Sequence, residues 1–455
     1  MDDTTRRLAE FAAGLHFEDL PQEVVDVAVV RLVDSLGCAV GGMHSEQARI
    51  SRTIAPRLDP STGTLTGRVL GSGWATSPEH AAFANTCMVR NLDFNDRYPH
   101  VHPSDMIGGL LAGVMAPGVD GRGFVTAIVA AYEVATRIAD AAKMRQGWDS
   151  GYAAGMGGVA GLSNLLGCKT DATGEALSLI ATANVPLRST RAGVLSLWKG
   201  AATAYCMLNA MLVTRLAQEG MTGPEKAIEG RHGLWDKITG EFELPTLPDQ
   251  DGGWNILRTS LKYWPVEYSA QTAVWAGRQL AETIPIDRLA SVRLGAHKLG
   301  WHEIASEPAK WDPQSRETAD HSMPYIFVRA MQHGGIDLSA FEPEQYLDPA
   351  VRPLMSKVSV EPDDEAEAAH PHGMMLTVRA ESVDGHVESF SIRDPKGFWT
   401  NQMTDPEVEA KFHGLVEPVY GADRATALHS YWASVTDHAD LDEGLSMFAD
   451  PVKPV

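Results

Sequence analysis

The feature that most constrains the fold is a succession of helical patterns that fills the first 265 residues. Apolar side chains recur there at three- and four-residue spacing, as expected for helices with one buried face. The segments are Val24–Val40, Ser77–Arg90, Ser104–Met115, Gly123–Ala142, Gly155–Leu166, Asp171–Asn184 and Lys199–Glu219. They are rich in Ala, Gly and Leu, and few strand-like stretches interrupt them. This part of the chain is therefore predicted to be an α-helical bundle.

The chain changes character after Pro265. Alternating apolar residues predict strands, and longer periodic segments predict two helices. The predicted strands are Leu289–His297, Lys357–Val360, Met374–Ala380 and His386–Ile392, and the predicted helices are Ala270–Thr283 and Glu317–Gln332. Asp384-Gly385 is typical of a hairpin turn between the last two strands. The acidic run Glu361–Glu367 is predicted to be a solvated loop.

Helical patterning returns at Asp405, with Pro406 in a first turn. We therefore predict a mainly α protein, in which a large all-helical domain (1–265 plus 400–455) carries an inserted, smaller, lid-like α+β domain (266–399). Polar residues mark several helix starts. The predicted N-caps are Asp19, which precedes Pro21 in a first turn, and the two serines Ser104 and Ser269.

Composition excludes several classes of protein. The 455 residues carry 38 Lys+Arg against 59 Asp+Glu, a net charge of −21, which weighs against nucleic-acid binding. No run of about eighteen apolar residues predicts a membrane span, and the acidic start at Asp2 and Asp3 predicts a cytoplasmic protein. The cysteines lie far apart without a CxxC motif, which predicts buried free thiols rather than a disulfide framework or an iron–sulfur cluster. They are Cys38, Cys87, Cys168 and Cys206.

The densest polar cluster is the segment 91–105, between two apolar helices. It contains three aspartates, two histidines and one arginine, and Pro99 and Pro103 prevent a continuous helix there. One interpretation is a capping and turn segment. Another is a catalytic loop. Metal binding through His100 and His102 is less favoured, because the prolines disrupt the strand on which such a pair shares one face.

Three further segments offer candidate groups. Arg188, Arg191 and Lys199 would bind a polycarboxylate, although ordinary surface charge is the alternative. Lys262 lies at the predicted domain junction, where clefts form. The segment 320–325 begins a predicted helix and offers a histidine and a tyrosine as acid or base. The glycines of 155–161 favour helix packing over a dinucleotide site, because no strand precedes them.

Taken together, short motifs along nearly the whole chain resemble the MmgE/PrpD family, which includes 2-methylcitrate dehydratase, cis-aconitate decarboxylase and iminodisuccinate epimerase. The motifs are Leu32–Gly37, Asn91–Asp96 with His102–Ser104, Tyr132–Val134, Trp198–Gly200, Gly220–Pro224, Leu261–Pro265, Glu317–Tyr325 and Lys396-Gly397. The resemblance implies a helical domain built from both chain ends, an inserted α+β domain, a cleft between them and a homodimer. It also implies a di- or tricarboxylate substrate, a place in propionate metabolism, and neither a metal nor an organic cofactor.

The family motifs map five catalytic residues onto this chain. They are Asp93, His102, Lys199, Lys262 and Tyr325. Residues expected to bind the substrate are Arg97, Ser104, Ser150, Arg188, Arg191 and His321. Decarboxylase-type members carry a threonine where Arg97 stands, and family members commonly have a histidine in the stretch where this chain offers Asp149 and Ser150. Both departures argue against a decarboxylase.

The resemblance implies chemistry that begins or ends with proton transfer at a carbon next to a carboxylate. The lysines, with Arg97 or Arg188, would stabilise the charge that develops on the carboxylate oxygens. His102, oriented by Asp93, would transfer the proton, and Tyr325 would protonate the departing hydroxyl. The leading hypothesis is a cofactor-free dehydratase of 2-methylcitrate or a similar tricarboxylate. The alternatives are an epimerase or isomerase of a dicarboxylate such as iminodisuccinate, a cis-aconitate-type decarboxylase, and an inactive homologue that only binds.

Overall fold

The computed structural model describes residues 1–142, 147–149, 151–248 and 253–451, most of them helical. In chain order the helices are α1 Asp3–Gly14, α2 Gln22–Gly41, α3 Glu46–Ile54, α4 Pro78–Asn91, α5 Asp105–Leu110, α6 Gly121–Ala141, α7 Gly151–Leu165, α8 Thr170–Ala183, α9 Trp198–Gln218, α10 Gln271–Thr283, α11 Lys298–Ile304, α12 Arg316–Ala319, α13 Met323–His333, α14 Pro343–Tyr346, α15 Arg352–Met355, α16 Asp364–Ala369, α17 Asp405–Tyr420, α18 Ala422–Ala433 and α19 Asp442–Ser446. The strands are β1 Gly67–Arg68, β2 Ala75–Thr76, β3 Leu289–Ala296, β4 Val358–Pro362, β5 Met375–Ser382 and β6 Val387–Arg393.

The chain divides into two compact units. The first, which we call the helical unit, comprises 1–190, 200–259 and 404–455, and the second, the mixed unit, comprises 191–199 and 260–403. The C-terminal helices thus belong with the N-terminal ones, and the short segment 191–199 groups with the mixed unit. No helix among the described residues is both long and apolar enough to cross a membrane.

Close packing of α6 on α7 forms the centre of the helical unit. A Cβ atom at Gly157 would lie 2.5 Å from the Ala131 carbonyl oxygen, and one at Gly161 would lie 2.7 Å from the Ala127 carbonyl oxygen. Side chains at these positions would force the helices apart. The prediction that these glycines serve helix packing is confirmed.

The mixed unit contains a four-stranded sheet in the order β4-β3-β5-β6. Strand β3 pairs parallel with β4 and antiparallel with β5, which pairs antiparallel with β6. Helices α10 and α13 pack against each other, and α10 also contacts β5 and β6. Because the residues of β5 alternate largely between buried and less buried positions, one face of the sheet contributes to this unit's core.

Most predicted elements are present within a few residues of their expected limits. Ser77, where the predicted helix begins, caps α4 by accepting from the His80 amide. Thr404 forms a capping box with Glu407 at α17. Gly385 has a φ of +84°, which suits the predicted hairpin turn. A mainly α chain with a small sheet is therefore confirmed.

Three predicted caps are wrong. Asp19 lies in a separate 3-10 turn, where its carboxylate accepts from the His16 amide, and Pro21 occupies the N-cap of α2. Ser104 occupies the N-cap position of α5, but its side chain makes no capping bond. Ser269 belongs to a short 3-10 turn that precedes α10. In each case another hydrogen bond or turn competes with the cap.

The acidic run is not simply a loop. Residues 361–362 end β4, and the carboxylate of Asp363 accepts from the amides of Glu365 and Ala366 to start α16. Acidic residues in a first turn stabilise the positive end of a helix, which explains the composition of this segment.

The predicted helix Glu317–Gln332 is interrupted. Helix α12 ends at Ala319, and α13 begins at Met323 after Ser322, whose hydroxyl accepts from the Tyr325 amide. Pro324 in the first turn of α13 has no amide hydrogen to donate, so the break costs little. The interruption places Asp320 and His321 in a connection between two helices.

Candidate active site

Arg90, in the last turn of α4, organises the polar cluster of the helical unit. Only 2% of its surface is exposed. Its Nη1 donates to the Asp93 carboxylate, its Nη2 lies 3.2 Å from Nε2 of His102, and its Nε lies 3.6 Å from the Asp105 carboxylate. Asp93 has a φ of +49°, in the left-handed region, which aspartate adopts more readily than most residues with a side chain. The guanidinium thus holds the turn after α4 in place.

His102 has a defined proton arrangement. Its Nδ1 lies 2.8 Å from the backbone carbonyl oxygen of Asp96, which can only accept a hydrogen bond, so Nδ1 carries the proton. Nε2 accepts from Arg90, which makes the ring neutral and Nε2 its basic nitrogen. We predicted that Asp93 orients this ring. The Asp96 carbonyl and Arg90 contact the two ring nitrogens, and Arg90 also binds Asp93. Orientation of the ring by Asp93 itself stays a prediction.

A fully buried network fixes the loop that carries His102. The Asp96 carboxylate accepts from the Ser104 amide and from the Tyr132 hydroxyl, both at 2.9 Å. Burial raises the pKa of Asp96, although the nearby Arg31 charge opposes the rise. Asn95 donates to the Ser104 hydroxyl at 2.8 Å. Ser104, a predicted substrate ligand, is completely buried and hydrogen-bonded within this loop.

Apart from Arg97, the other predicted residues of the helical unit lie in other segments, and those of Asp149 and Arg188 are joined by a backbone hydrogen bond from the Arg188 amide to the Gly147 carbonyl at 3.0 Å. Arg97 and Arg188 are half-buried, and Arg188 lies in a short 3-10 turn. Asp149 is buried and accepts from the Gly151 amide at 3.0 Å. Ser150 lies outside the described residues.

A second polar array lies in the mixed unit, in the connection between α12 and α13. The Asp320 carboxylate is 2.6 Å from Nδ1 of His321 and 3.6 Å from Nζ of Lys199. Lys199 and Asp320 are almost completely buried, with 2% and 1% of their surfaces exposed. An aspartate that accepts from Nδ1–H orients the ring and leaves Nε2 as the nitrogen that exchanges a proton. His321 was predicted only as a substrate ligand, but this geometry suits proton transfer.

Two more buried lysines belong to the mixed unit. Lys262 is 1% exposed, and its segment is packed tightly, since a Cβ at Gly397 would lie 2.3 Å from the Leu261 carbonyl oxygen. Lys310 is also 1% exposed. Desolvation lowers its pKa, with a smaller contribution from the positive charge of Lys199, while nearby acids raise it. A lysine with a lowered pKa is a candidate base or anion-binding group that the sequence motifs did not reveal.

Tyr325 lies in the core of the mixed unit rather than among these polar groups. None of its surface is exposed, its ring packs near Phe341, and its hydroxyl donates to the Ala340 carbonyl oxygen. Burial raises its pKa to about 12. Arg191, in the same unit, is half-buried.

Several polar side chains of the segment 91–105 are held by contacts within the protein. Asp93 is bound by Arg90, Asp96 by Ser104 and Tyr132, and Nδ1 of His102 by a carbonyl. All four cysteines are buried and free of disulfides, as predicted. Burial raises the pKa of Cys87, so its thiol stays protonated, a form that binds metals poorly.

Comparison with known proteins shows the origin of these motifs. Residues 6–246 match the MmgE/PrpD N-terminal domain, and residues 264–434 match the MmgE/PrpD C-terminal domain. The chain belongs to the MmgE/PrpD family. The family assignment made from short motifs is thereby confirmed.

Relatives within the MmgE/PrpD family are distant but match over most of their length. Cis-aconitate decarboxylase-like protein oryM of Aspergillus oryzae is 23% identical over 98% of this chain and 97% of its own. The 2-methylcitrate dehydratase of Salmonella typhi is 24% identical over 86% of this chain and 90% of its own. The cis-aconitate decarboxylase of Homo sapiens is 21% identical over 99% of this chain and 95% of its own.

The sequence motifs did not identify two of the site residues described above, Arg90 and Lys310. Arg90 sits three residues before Asp93, a helical spacing that would have suggested an ion pair. Lys310 carries no comparable signal, because its burial depends on the fold of the mixed unit.

Proposed function

We propose that this protein is a lyase that dehydrates 2-methylcitrate or a similar tricarboxylate without a cofactor. Relatives named 2-methylcitrate dehydratase support the substrate class. The observation that carries the chemistry is the tautomer of His102: its proton sits on Nδ1, so Nε2 is the nitrogen that takes up a proton when it exchanges its contact with Arg90 for the substrate. A neutral imidazole with a fixed tautomer is the usual general base at neutral pH.

In the proposed reaction, Nε2 of a histidine removes a proton from a carbon next to a carboxylate. The electron pair left on carbon is delocalised onto the carboxylate oxygens, and buried Lys199 and Lys262 stabilise that charge. The C–O bond to the hydroxyl then breaks as the carbon–carbon double bond forms. The departing hydroxide takes a proton from a general acid and leaves as water.

We propose His321 as the second proton-transfer group. Asp320 fixes its ring through Nδ1 and stabilises the imidazolium form, in which Nε2–H gives its proton to the departing hydroxide and the ring becomes neutral. The resemblance-based assignment of this step to Tyr325 remains a prediction. Its hydroxyl is occupied by the Ala340 carbonyl, and its pKa of about 12 makes proton release at neutral pH costly.

A substrate panel tests the proposal. Purified protein is incubated with citrate, 2-methylcitrate, cis-aconitate and iminodisuccinate, each with and without a chelator. A dehydratase produces ultraviolet absorbance from the unsaturated acid and is insensitive to chelation. Exchange of the α-hydrogen in deuterated water without alkene formation would instead indicate an epimerase. Tight binding of a tricarboxylate without turnover of any substrate would contradict a catalytic role.

His102→Gln isolates the histidine. General base catalysis contributes about 10²–10⁴-fold, so turnover is expected to fall by that factor. His100→Gln is the control, because His100 lies exposed in the same loop. If His102 and Lys199 serve one reaction, the double variant loses far less than the product of the single losses, because residues that act together are not additive. Near-normal turnover of His102→Gln would remove this histidine from the mechanism.

Decarboxylation of cis-aconitate is the second candidate. It is favoured by relatives named cis-aconitate decarboxylase that align over almost the whole chain. Release of carbon dioxide from cis-aconitate, with no product from 2-methylcitrate, would replace the dehydratase proposal with this one.

We also propose that the protein is a homodimer. Helix α9 presents large apolar side chains at seven- and four-residue spacing, with Tyr205, Leu212 and Leu216 exposed to 48%, 41% and 36%. Such a stripe is typical of a surface that another helix covers. Leu212→Glu is expected to convert a dimer to a monomer in light scattering, whereas Arg379→Glu, at an exposed position in β5, should not. A wild-type monomer at micromolar concentration would refute the proposal.

A further inference from the structure

A pocket of about 450 Å³ lies in the mixed unit at the C-terminal end of α13. Its lining includes Trp264, Arg329, Gly335, Ser339 and Gln345. None of the lysines, aspartates or histidines assigned to the proposed reaction lines it. The volume falls in the range of small-molecule sites. The pocket therefore raises a question separate from the proposed reaction.

The charge of Arg329 is the unusual feature of this pocket. The residue is 6% exposed, and its guanidinium donates to the amide oxygens of Gln332, at 3.2 Å, and Gln345. Among the residues that the structure describes, no carboxylate forms an ion pair with it, and its buried Nε has no acceptor. Buried charges are normally paired, because leaving one without a counter-ion is costly. An anion in the pocket would provide the missing partner.

The charged groups nearby do not provide one. Asp337, at the exposed rim, uses its carboxylate to accept from the amide and hydroxyl of Ser339 at the start of a 3-10 turn. His333 is exposed at the end of α13. Arg329 thus has no competing buried acid in the pocket lining.

The lining also includes the Trp264 ring, which is held by close aromatic neighbours. The Trp264 ring packs edge-on against Tyr263 and Trp275, with centroids 4.9 and 5.4 Å apart. A Cβ atom at Gly335 would lie 2.9 Å from the Trp264 ring, so only glycine lets the backbone approach it this closely. An indole ring fixed by its neighbours in this way favours contact with a planar, apolar group.

We propose that this pocket binds a small organic carboxylate with a planar apolar body. The carboxylate pairs with the guanidinium of Arg329, and the planar body packs beside Trp264. Arginine recognises carboxylates through two parallel hydrogen bonds, which gives both strength and orientation. Since α13 begins at Met323, two residues after His321, a ligand at the other end of the helix would also stabilise the element that follows Asp320 and His321.

Calorimetric titration with benzoate tests the site, and benzamide, its uncharged isostere, is the matched ligand. Benzoate is expected to bind saturably, and benzamide about ten- to a hundredfold more weakly, as for loss of a charged hydrogen-bonded pair. Arg329→Met should weaken the binding of benzoate by the same factor. Arg379→Met, the same change at an exposed arginine of this unit, should leave the affinity unchanged. Circular dichroism confirms that each variant is folded.

Ser339→Trp fills the pocket from its exposed rim and provides a second test should Arg329→Met fail to fold. It should abolish benzoate binding without altering Arg329. Equal affinity in wild type, Arg329→Met and Ser339→Trp would overturn the site, as would equal binding of benzamide. Loss of binding in Lys199→Met but not in Arg329→Met would place benzoate among the proposed catalytic groups and also overturn it. None of these results depends on turnover, so failure of the proposed function leaves the test intact.

Discussion

Removal of the Arg90 guanidinium gives a direct test of the buried cluster in the helical unit. In Arg90→Met the aliphatic volume is largely kept, but the carboxylates of Asp93 and Asp105, each 1% exposed, lose their cation. Breaking a buried ion pair by deleting one partner costs about 3–5 kcal/mol, because the other charge stays buried and uncompensated. The free energy of unfolding should fall by that amount, and His102 should lose its Nη2 contact.

A double-mutant cycle with Asp93→Asn separates this cost from simple loss of packing. If the penalty arises from the orphaned charge, Arg90→Met/Asp93→Asn should be less destabilised than the sum of the two single variants. Coupling of 0.5–3 kcal/mol is typical of residues in one network. Urea unfolding followed by circular dichroism measures all four proteins, with Arg49→Met, an exposed arginine in α3, as the control. Additive losses, or a cost below about 1 kcal/mol for Arg90→Met, would refute the electrostatic account.

Three further predictions concern other parts of the chain. Burial lowers the pKa of His297 from 6.5 to about 4, so between these pH values the unfolded state binds a proton that the folded state does not. The free energy of unfolding should therefore fall by about 3 kcal/mol as the pH drops from about 6.5 to 4. Parallel losses in wild type and His297→Asn would contradict this. Gly161→Val should unfold or strongly destabilise the helical unit in thermal melts, because its Cβ would press on the Ala127 carbonyl, and an unchanged melting temperature would contradict the packing. Tyr325→Phe should lower stability by about 1–3 kcal/mol, since the buried Ala340 carbonyl loses its donor, while turnover on the active substrate falls less than about tenfold; a loss of 10²-fold or more would restore Tyr325 as the acid.

Helices, strands and the family were predictable because their signals are local. The first-turn proline Pro406, the turn at Asp384-Gly385 and the glycines of α7 each act on neighbours in the chain or on one packed helix. The caps at Asp19, Ser104 and Ser269 failed for the same physical reason. A polar side chain near a helix start has several possible partners, and sequence alone does not rank them.

The candidate site shows where local signals end. The motifs identified Lys199, His102 and Lys262 as residue types suited to carboxylate chemistry, and all three remain in the proposal. They did not reveal that Arg90 holds His102 and Asp93, or that Lys310 is buried with a lowered pKa.

For this protein, the amino-acid sequence alone determined the helical class, most element limits and the set of chemically capable residues. Only the tertiary structure decided which of those residues form hydrogen bonds or ion pairs with each other. Lys199 forms an ion pair with Asp320 although several helices separate them in the chain. The hydroxyl of Tyr325 donates to a backbone carbonyl in the core rather than to a charged side chain. Backbone propensity and apolar periodicity act over a few residues, whereas burial and pairing depend on which distant segments the folded core brings together.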